Sequence, residues 1–196
     1  IFDHVRSPRG RGKPGGSLNS ITPMNLTTQV LESLRDRNDL DTAIVDDVIL
    51  GCVSPVGEQG GDIARIAVLN ADYAETTAGV QVDRFCASGL EACNMAAAKV
   101  MTGEADMAIG GGIESMSRIQ MGTDGGAMMY DPIVTTKIGY VPQGVAADLL
   151  ATKEGFSRTE LDTFALQSQQ KASEAIQNGH FKNSLIPVTD KTGLMV

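Results

Sequence analysis

Apolar positions recur along this chain with two periods, near 3.6 residues in some stretches and in short unbroken runs in others. After Thr22-Pro23, the residues Leu26, Val30, Leu31 and Leu34 fall on one helical face. Threonine as N-cap and proline at the first helical position set the start, so a helix is expected from Pro23 to near Arg37. Val48-Ile49-Leu50-Gly51-Cys52-Val53 reads as a buried strand, and Ile63 to Asn70 as a helix with Ile63, Ile66 and Ala67 on one side. Val80-Gln81-Val82 is a strand leading into a helix over Ala87–Thr102, whose alanines and methionines strongly favour that state. Because this helix is mostly apolar or small, it is expected to lie buried between layers. Met107-Ala108-Ile109 is a short strand ending in three glycines, and Ile1 to Val5 reads as another. Strands alternating with helices predict an α/β fold with a mainly parallel, doubly wound sheet.

Beyond Ser117 the pattern changes. Residues 118–141 show little periodicity and many Gly, Met, Thr and Asp, which predicts irregular chain. Helices follow over Gln143–Glu154 and Ser157–Asn178. The second opens with the capping box Ser157-x-x-Glu160 and closes at Gly179 as a left-handed cap. Leu161, Phe164, Ala165, Ser168, Ala172, Ala175 and Ile176 supply its expected inner face. Leu185-Ile186-Pro187-Val188 is expected as a short strand, its proline suiting an edge.

Length and charge narrow the function. A chain of 196 residues fits one medium domain or a core with an appended lobe. Its formal charge of −8 argues against nucleic acid as a partner, since phosphate backbones need a basic face. No apolar run approaches a membrane span and no signal-peptide pattern is present. The loop from Ser7 to Asn19, with Arg6, Arg9, Arg11 and Lys13 in or beside it, reads as a solvated loop or subunit contact, or as a place to meet an anion. Three cysteines and two histidines form neither a CxxC pair nor a metal-like cluster, so no metal site is expected, and the sparse, odd cysteine count fits a reducing compartment.

Candidate chemistry centres on Cys86. It stands at a strand-to-helix turn, where unpaired backbone N–H groups and the helix dipole favour a thiolate over a thiol. The same N–H groups stabilise an oxyanion on a carbonyl that the sulfur attacks. Ala87, Ser88 and Gly89 keep side-chain bulk away from it. On spacing alone the alternative is a small buried hydrophobe, which is the reading for Cys52 within its apolar strand. Cys93 lies two helical turns further on, roughly 10 Å along the axis. Gly110-Gly111-Gly112 does not open a helix as G-x-G-x-x-G, so a dinucleotide site is not expected. Those glycines are expected to let the backbone pass close to the helix after Cys86, with Glu114 and Ser117 bracing the turn. His4 reads as a packed histidine and His180 as a surface one; neither can be assigned as a base by spacing.

The local context resembles the thiolase family of acyl-CoA acyltransferases. Asp83-Arg84-Phe85-Cys86-Ala87-Ser88-Gly89-Leu90 is similar to the family's segment around its acyl-accepting cysteine, with Asp83 where Asn or another small polar residue is usual. Gly110-Gly111-Gly112-Ile113-Glu114-Ser115-Met116-Ser117 is similar to its Gly-Gly-x-Glu-Ser-Met-Ser segment. Ser7-Pro8-Arg9, Gly155-Phe156-Ser157-Arg158 and Ser168-Gln169-Gln170 fall in the family's order.

The resemblance implies a thiolase-like layered fold, with residues 1–117 as the N-terminal core half and 118–196 as part of a substrate-covering loop domain. It implies acyl transfer between coenzyme A thioesters through an S-acyl intermediate on Cys86. Coenzyme A enters as a substrate, with no cofactor. The family's base histidine, second cysteine and asparagine-held water belong to a C-terminal half whose motifs are not in these residues. The expected partners are therefore acyl-CoA, coenzyme A, that C-terminal half, and further copies in a homodimer or homotetramer. Val141-Pro142-Gln143-Gly144 stands where the biosynthetic branch carries His-Met-Gly, which leans towards 3-ketoacyl-CoA cleavage. Gln143 and Met128 are the expected substrate contacts, with ordinary packing the alternative for the methionine. The location implied is the cytoplasm, or a mitochondrion or peroxisome in a eukaryote. From another class, a non-catalytic half acting as a scaffold or acyl-CoA-binding subunit fits the same residues.

Overall fold

Three short strands carry the core, and the computed structural model describes them together with all of residues 1–196. The strands β1 (Asp47–Gly51), β2 (Ala78–Val82) and β3 (Ala108–Gly112) form one sheet in the order β2-β1-β3, parallel throughout. Ile49 stands between Val80 and Gly110 across the sheet. Helix α1 (Pro23–Arg37) precedes β1, α2 (Ile63–Asn70) links β1 to β2, and α3 (Ser88–Thr102) links β2 to β3.

Successive residues of a strand face opposite sides, and β1 shows it. Val48 and Leu50 pack with Leu31, Ala64, Ala67, Val68 and Tyr73 on the α1–α2 side, while Ile49 packs with Ala92 and Ala96 of α3 on the other. Both faces of the sheet are thus covered, as parallel sheets require. The carboxyl ends of the three strands lie at one edge, where open α/β sheets place their ligands.

Contacts divide the chain into two units. One comprises Ile1–Asp124 with Ser184–Val196, the other Gly125–Asn183. The change of character expected at residue 118 therefore falls at Asp124 in space, and the terminal segment groups with the first unit. Val188 is buried with Leu18, Ile21 and Leu26, and Gln29 exchanges hydrogen bonds of 2.9 Å with both the N–H and the C=O of Thr189. The second unit is helical: α4 (Ala127–Tyr130), α5 (Pro132–Ile138), α6 (Gln143–Glu154) and α7 (Arg158–Gln177).

Several local expectations are met. Thr22 caps α1 by accepting the Asn25 N–H at 3.2 Å. The Ser157–Glu160 capping box opens α7, and Gly179 follows it with φ +71°. Others need correction. Ile1–Val5 is not a strand: Ile1, Phe2 and His4 are exposed, so His4 is not packed, and only Arg6 forms an isolated bridge, to Leu185. That bridge is also all that remains of the strand expected at Leu185–Val188. Residues 118–141 are not wholly irregular, since they hold α4 and α5. The glycines 110–112 belong to β3 itself. The apolar side of α7 is not buried in this chain.

Helix α3 departs from expectation in a way that matters. Ser88, Ala92 and Ala96 face the sheet and are buried, but the opposite side is open: Leu90 is 66% and Met101 85% exposed, and Cys93, Ala97 and Ala98 are exposed too. Within this chain α3 is covered on one side only. No helix is long and apolar enough to cross a membrane.

Candidate active site

The turn that carries Cys86 is built by its neighbours' hydrogen bonds. Strand β2 ends at Val82, and the Asp83 carboxylate accepts the Phe85 N–H at 2.8 Å. Ser88, only 3% exposed, accepts the Arg84 N–H on Oγ at 2.8 Å and donates its hydroxyl to the Phe85 carbonyl at 2.6 Å. The Ser88 N–H donates to the same carbonyl at 2.9 Å, and the Ala87 N–H to the Arg84 carbonyl at 3.1 Å. This tight winding places Phe85 at φ +47°. Such a left-handed conformation costs a bulky residue roughly 1–2 kcal/mol. Serine here is therefore more than a small residue: its hydroxyl holds the turn.

Cys86 itself is exposed, as the chemistry needs. Two residues on, α3 begins, with Ala87 as its N-cap and no side chain capping it. The first-turn N–H groups are thus left without a side-chain acceptor beside the sulfur. Arg84 and Glu91 form an ion pair at 3.0 Å across the turn.

The glycines seat this turn on the sheet. A methyl group on Gly51 would lie 2.5 Å from the Gly89 nitrogen and closer still to the Ser88 carbonyl carbon; one on Gly110 would lie 2.6 Å from the Cys93 Cα. One on Gly112 would meet the Gly51 carbonyl oxygen at 2.9 Å. Only glycine permits this backbone-on-backbone approach, as expected for the run at 110–112.

A second brace ties the loops after β1 and β3 together, and sequence reading found only one end of it. Glu114 accepts the Val53 N–H at 2.7 Å and a Gln59 amide hydrogen at 2.7 Å. Gln59, fully buried, also donates to the Ser54 carbonyl and accepts the Ser115 N–H at 2.6 Å. Glu114 therefore has a bracing role. Ser117 contributes its carbonyl, which accepts from Asn19 at 2.8 Å, and neighbouring Arg118 grips Glu58 through two hydrogen bonds.

Cys52 lies just past β1, 1% exposed, with burial pushing its thiol up to about 11 from an ordinary 9.0. At pH 8 a thiol reagent should label Cys86 and Cys93 rapidly and Cys52 only on unfolding, which a reagent titration checks. The unfolded chain loses the Cys52 proton first, so stability should fall as pH rises from about 9 to 11. One pKa unit is worth roughly 1.4 kcal/mol.

The substrate contacts expected from sequence lie in the second unit. Met128 is half-buried in α4, and its carbonyl accepts the Thr135 hydroxyl at 2.9 Å. Gln143 is the first residue of α6, with its side chain exposed. Cys86 belongs to the first unit, so these residues are placed within their own units and not against one another. His180, exposed, is in the second unit as well, and neither histidine hydrogen-bonds Cys86. No group of His, Cys, Asp and Glu is arranged to hold a metal ion.

The sequence profile described as "Thiolase, N-terminal domain" matches residues 1–194. The chain belongs to the thiolase family. It is 37% identical to a steroid 3-ketoacyl-CoA thiolase of Mycobacterium tuberculosis, over 98% of this chain and 50% of that protein. It is 37% identical to a β-ketoadipyl-CoA thiolase of Pseudomonas aeruginosa, over 96% of this chain and 51% of that one. The crystal structure of the Bacillus anthracis acetyl-CoA acetyltransferase superposes with a TM-score of 0.79 at 30% identity, covering 95% of this chain and 50% of that one. This thiolase chain thus spans about half the length of the relatives it matches.

Proposed function

We propose that this thiolase chain carries the nucleophile of an acyl-CoA acyltransferase that cleaves 3-ketoacyl-CoA with coenzyme A, or runs the reverse condensation. The observation that carries the reading is Cys86: an exposed thiol at a braced strand-to-helix turn, beside an uncapped helix N-terminus. The names of the relatives, all acting on coenzyme A thioesters, support the substrate class. A scaffold role leaves this arrangement without a purpose.

In cleavage, the Cys86 sulfur attacks the 3-keto carbonyl, and the oxyanion that forms meets the Cys86 N–H. Its collapse breaks the C2–C3 bond, releasing acetyl-CoA after its enolate takes a proton and leaving an acyl group on sulfur. Coenzyme A then attacks that thioester through its own thiol, giving an acyl-CoA shorter by two carbons and restoring the Cys86 thiol. The proton transfers need a base, assigned to a histidine and second cysteine of the C-terminal half. Gln143 and Met128 contact the acyl-CoA, and the enzyme works as a dimer or tetramer in the cytoplasm, where three free cysteines persist.

The test is to incubate the complete natural polypeptide with radiolabelled acetyl-CoA and map the adduct by peptide mass. Label on Cys86 is expected. Label on Cys93 with Cys86 free overturns the assignment.

A further inference from the structure

The peptide joining Phe85 to Cys86 is held through its carbonyl, and the peptide before it through its N–H. Its carbonyl accepts two hydrogen bonds from Ser88, one from the hydroxyl at 2.6 Å and one from the N–H at 2.9 Å. The N–H of the preceding peptide, that of Phe85, is taken by Asp83 at 2.8 Å. These bonds hold Phe85 at φ +47°, a conformation a phenylalanine would not keep unaided. A trans peptide is planar, so its C=O and N–H point in opposite directions. Pinning the Phe85 carbonyl towards the start of α3 therefore fixes where the Cys86 N–H points, and that N–H has no acceptor within the chain.

We propose that Ser88 and Asp83 are positioning residues: Ser88 by clamping the Phe85–Cys86 peptide and Asp83 by fixing the peptide before it, they aim the Cys86 N–H at the oxyanion that forms when Cys86 is acylated. The proposal rests on Cys86 being the acyl acceptor. It separates two properties of the turn. The reactivity of the sulfur depends on exposure and on the helix terminus. The stabilisation of the oxyanion depends on the direction of one peptide plane, which the two side chains set. Neither side chain need touch substrate.

The test compares two reactions of Cys86 in the complete natural polypeptide. Acylation by acetyl-CoA passes through an oxyanion; alkylation by iodoacetamide displaces iodide at a saturated carbon and does not. Ser88→Ala is expected to slow single-turnover acylation roughly 10- to 100-fold, less than the roughly 100- to 1000-fold seen when an oxyanion donor is removed, because the donor is misaimed and not lost. Iodoacetamide alkylation should stay within about twofold, with the midpoint of its pH profile unmoved. Because Ser88 is buried, Asp83→Ala at an exposed position provides an independent variant with the same split. Asp83→Asn, which keeps the acceptor oxygen, should restore acylation. Equal loss of both reactions in Ser88→Ala and Asp83→Ala would mean that the residues only hold the sulfur or the fold, and unchanged acylation would mean that they hold nothing that matters; either result overturns the proposal. If the wild-type protein takes no acyl group on Cys86 yet alkylates there, the underlying assignment fails and this inference with it.

Discussion

Cys86→Ser is expected to lower acyl transfer from coenzyme A thioesters roughly 1000-fold or more, the scale on which loss of a covalent nucleophile acts. A serine hydroxyl in the same place is not ionised near neutral pH and has no adjacent base in this chain to activate it. The substitution removes no buried contact, because the side chain is exposed and accepts no hydrogen bond. Stability should therefore change by less than about 0.5 kcal/mol. Single-turnover acylation with a thermal melt of the same sample reads both quantities. A variant that keeps more than a tenth of the wild-type acylation rate would rule out a covalent route through this sulfur.

Gly51→Ala should do the reverse, damaging fold and activity together. The added methyl would press on the Ser88 carbonyl carbon and the Gly89 nitrogen, both backbone atoms of the first turn of α3. A flexible side chain could swing aside, but a helix backbone seated on a sheet cannot. Overpacking of a close-packed site costs typically 1–3 kcal/mol, and a backbone obstacle puts this case at the upper end or beyond. Any relief requires α3 to lift from β1, carrying the Cys86 turn with it. Urea denaturation should show about 3 kcal/mol lost, and acylation should fall even under conditions where the variant is folded. A variant as stable as wild type would mean that α3 is less tightly seated than its contacts indicate.

Sequence reading reached the elements whose limits are written in local chemistry. Thr22-Pro23, Ser157 with Glu160, and Gly179 each act within a few residues, so the start of α1 and both ends of α7 were legible. Helix α5 was missed although Asp131-Pro132 and Gly139 bracket it, because seven residues give too few apolar positions to show a period. The strand was expected to end in the three glycines, and β3 runs through them, because residues without side chains have no alternation to display. Their role in admitting α3 was legible, since close approach was the one use that fitted a glycine run. Ile1–Val5 has strand composition, yet β propensity expresses a fit to neighbours, and no strand lies beside it to pair.

At the site, the cysteine and its turn were readable because they are contiguous. Gln59 was not, because its bonds to Glu114 and Ser115 span residues 55 and 56 positions away and exist only once β1 and β3 are neighbours. The Ser88 hydroxyl is a different case. It lies within three residues of its partner, but small size and hydrogen-bonding capacity are both properties of serine, and only the buried position and the left-handed Phe85 decide between them.

The one-sided covering of α3 carries a practical consequence. Leu90, Ala97 and Met101 form an oily ridge facing water along the helix that begins two residues after Cys86. A sample of these 196 residues by themselves should therefore be sticky, clumping as it is concentrated and tolerating mild detergent better than salt.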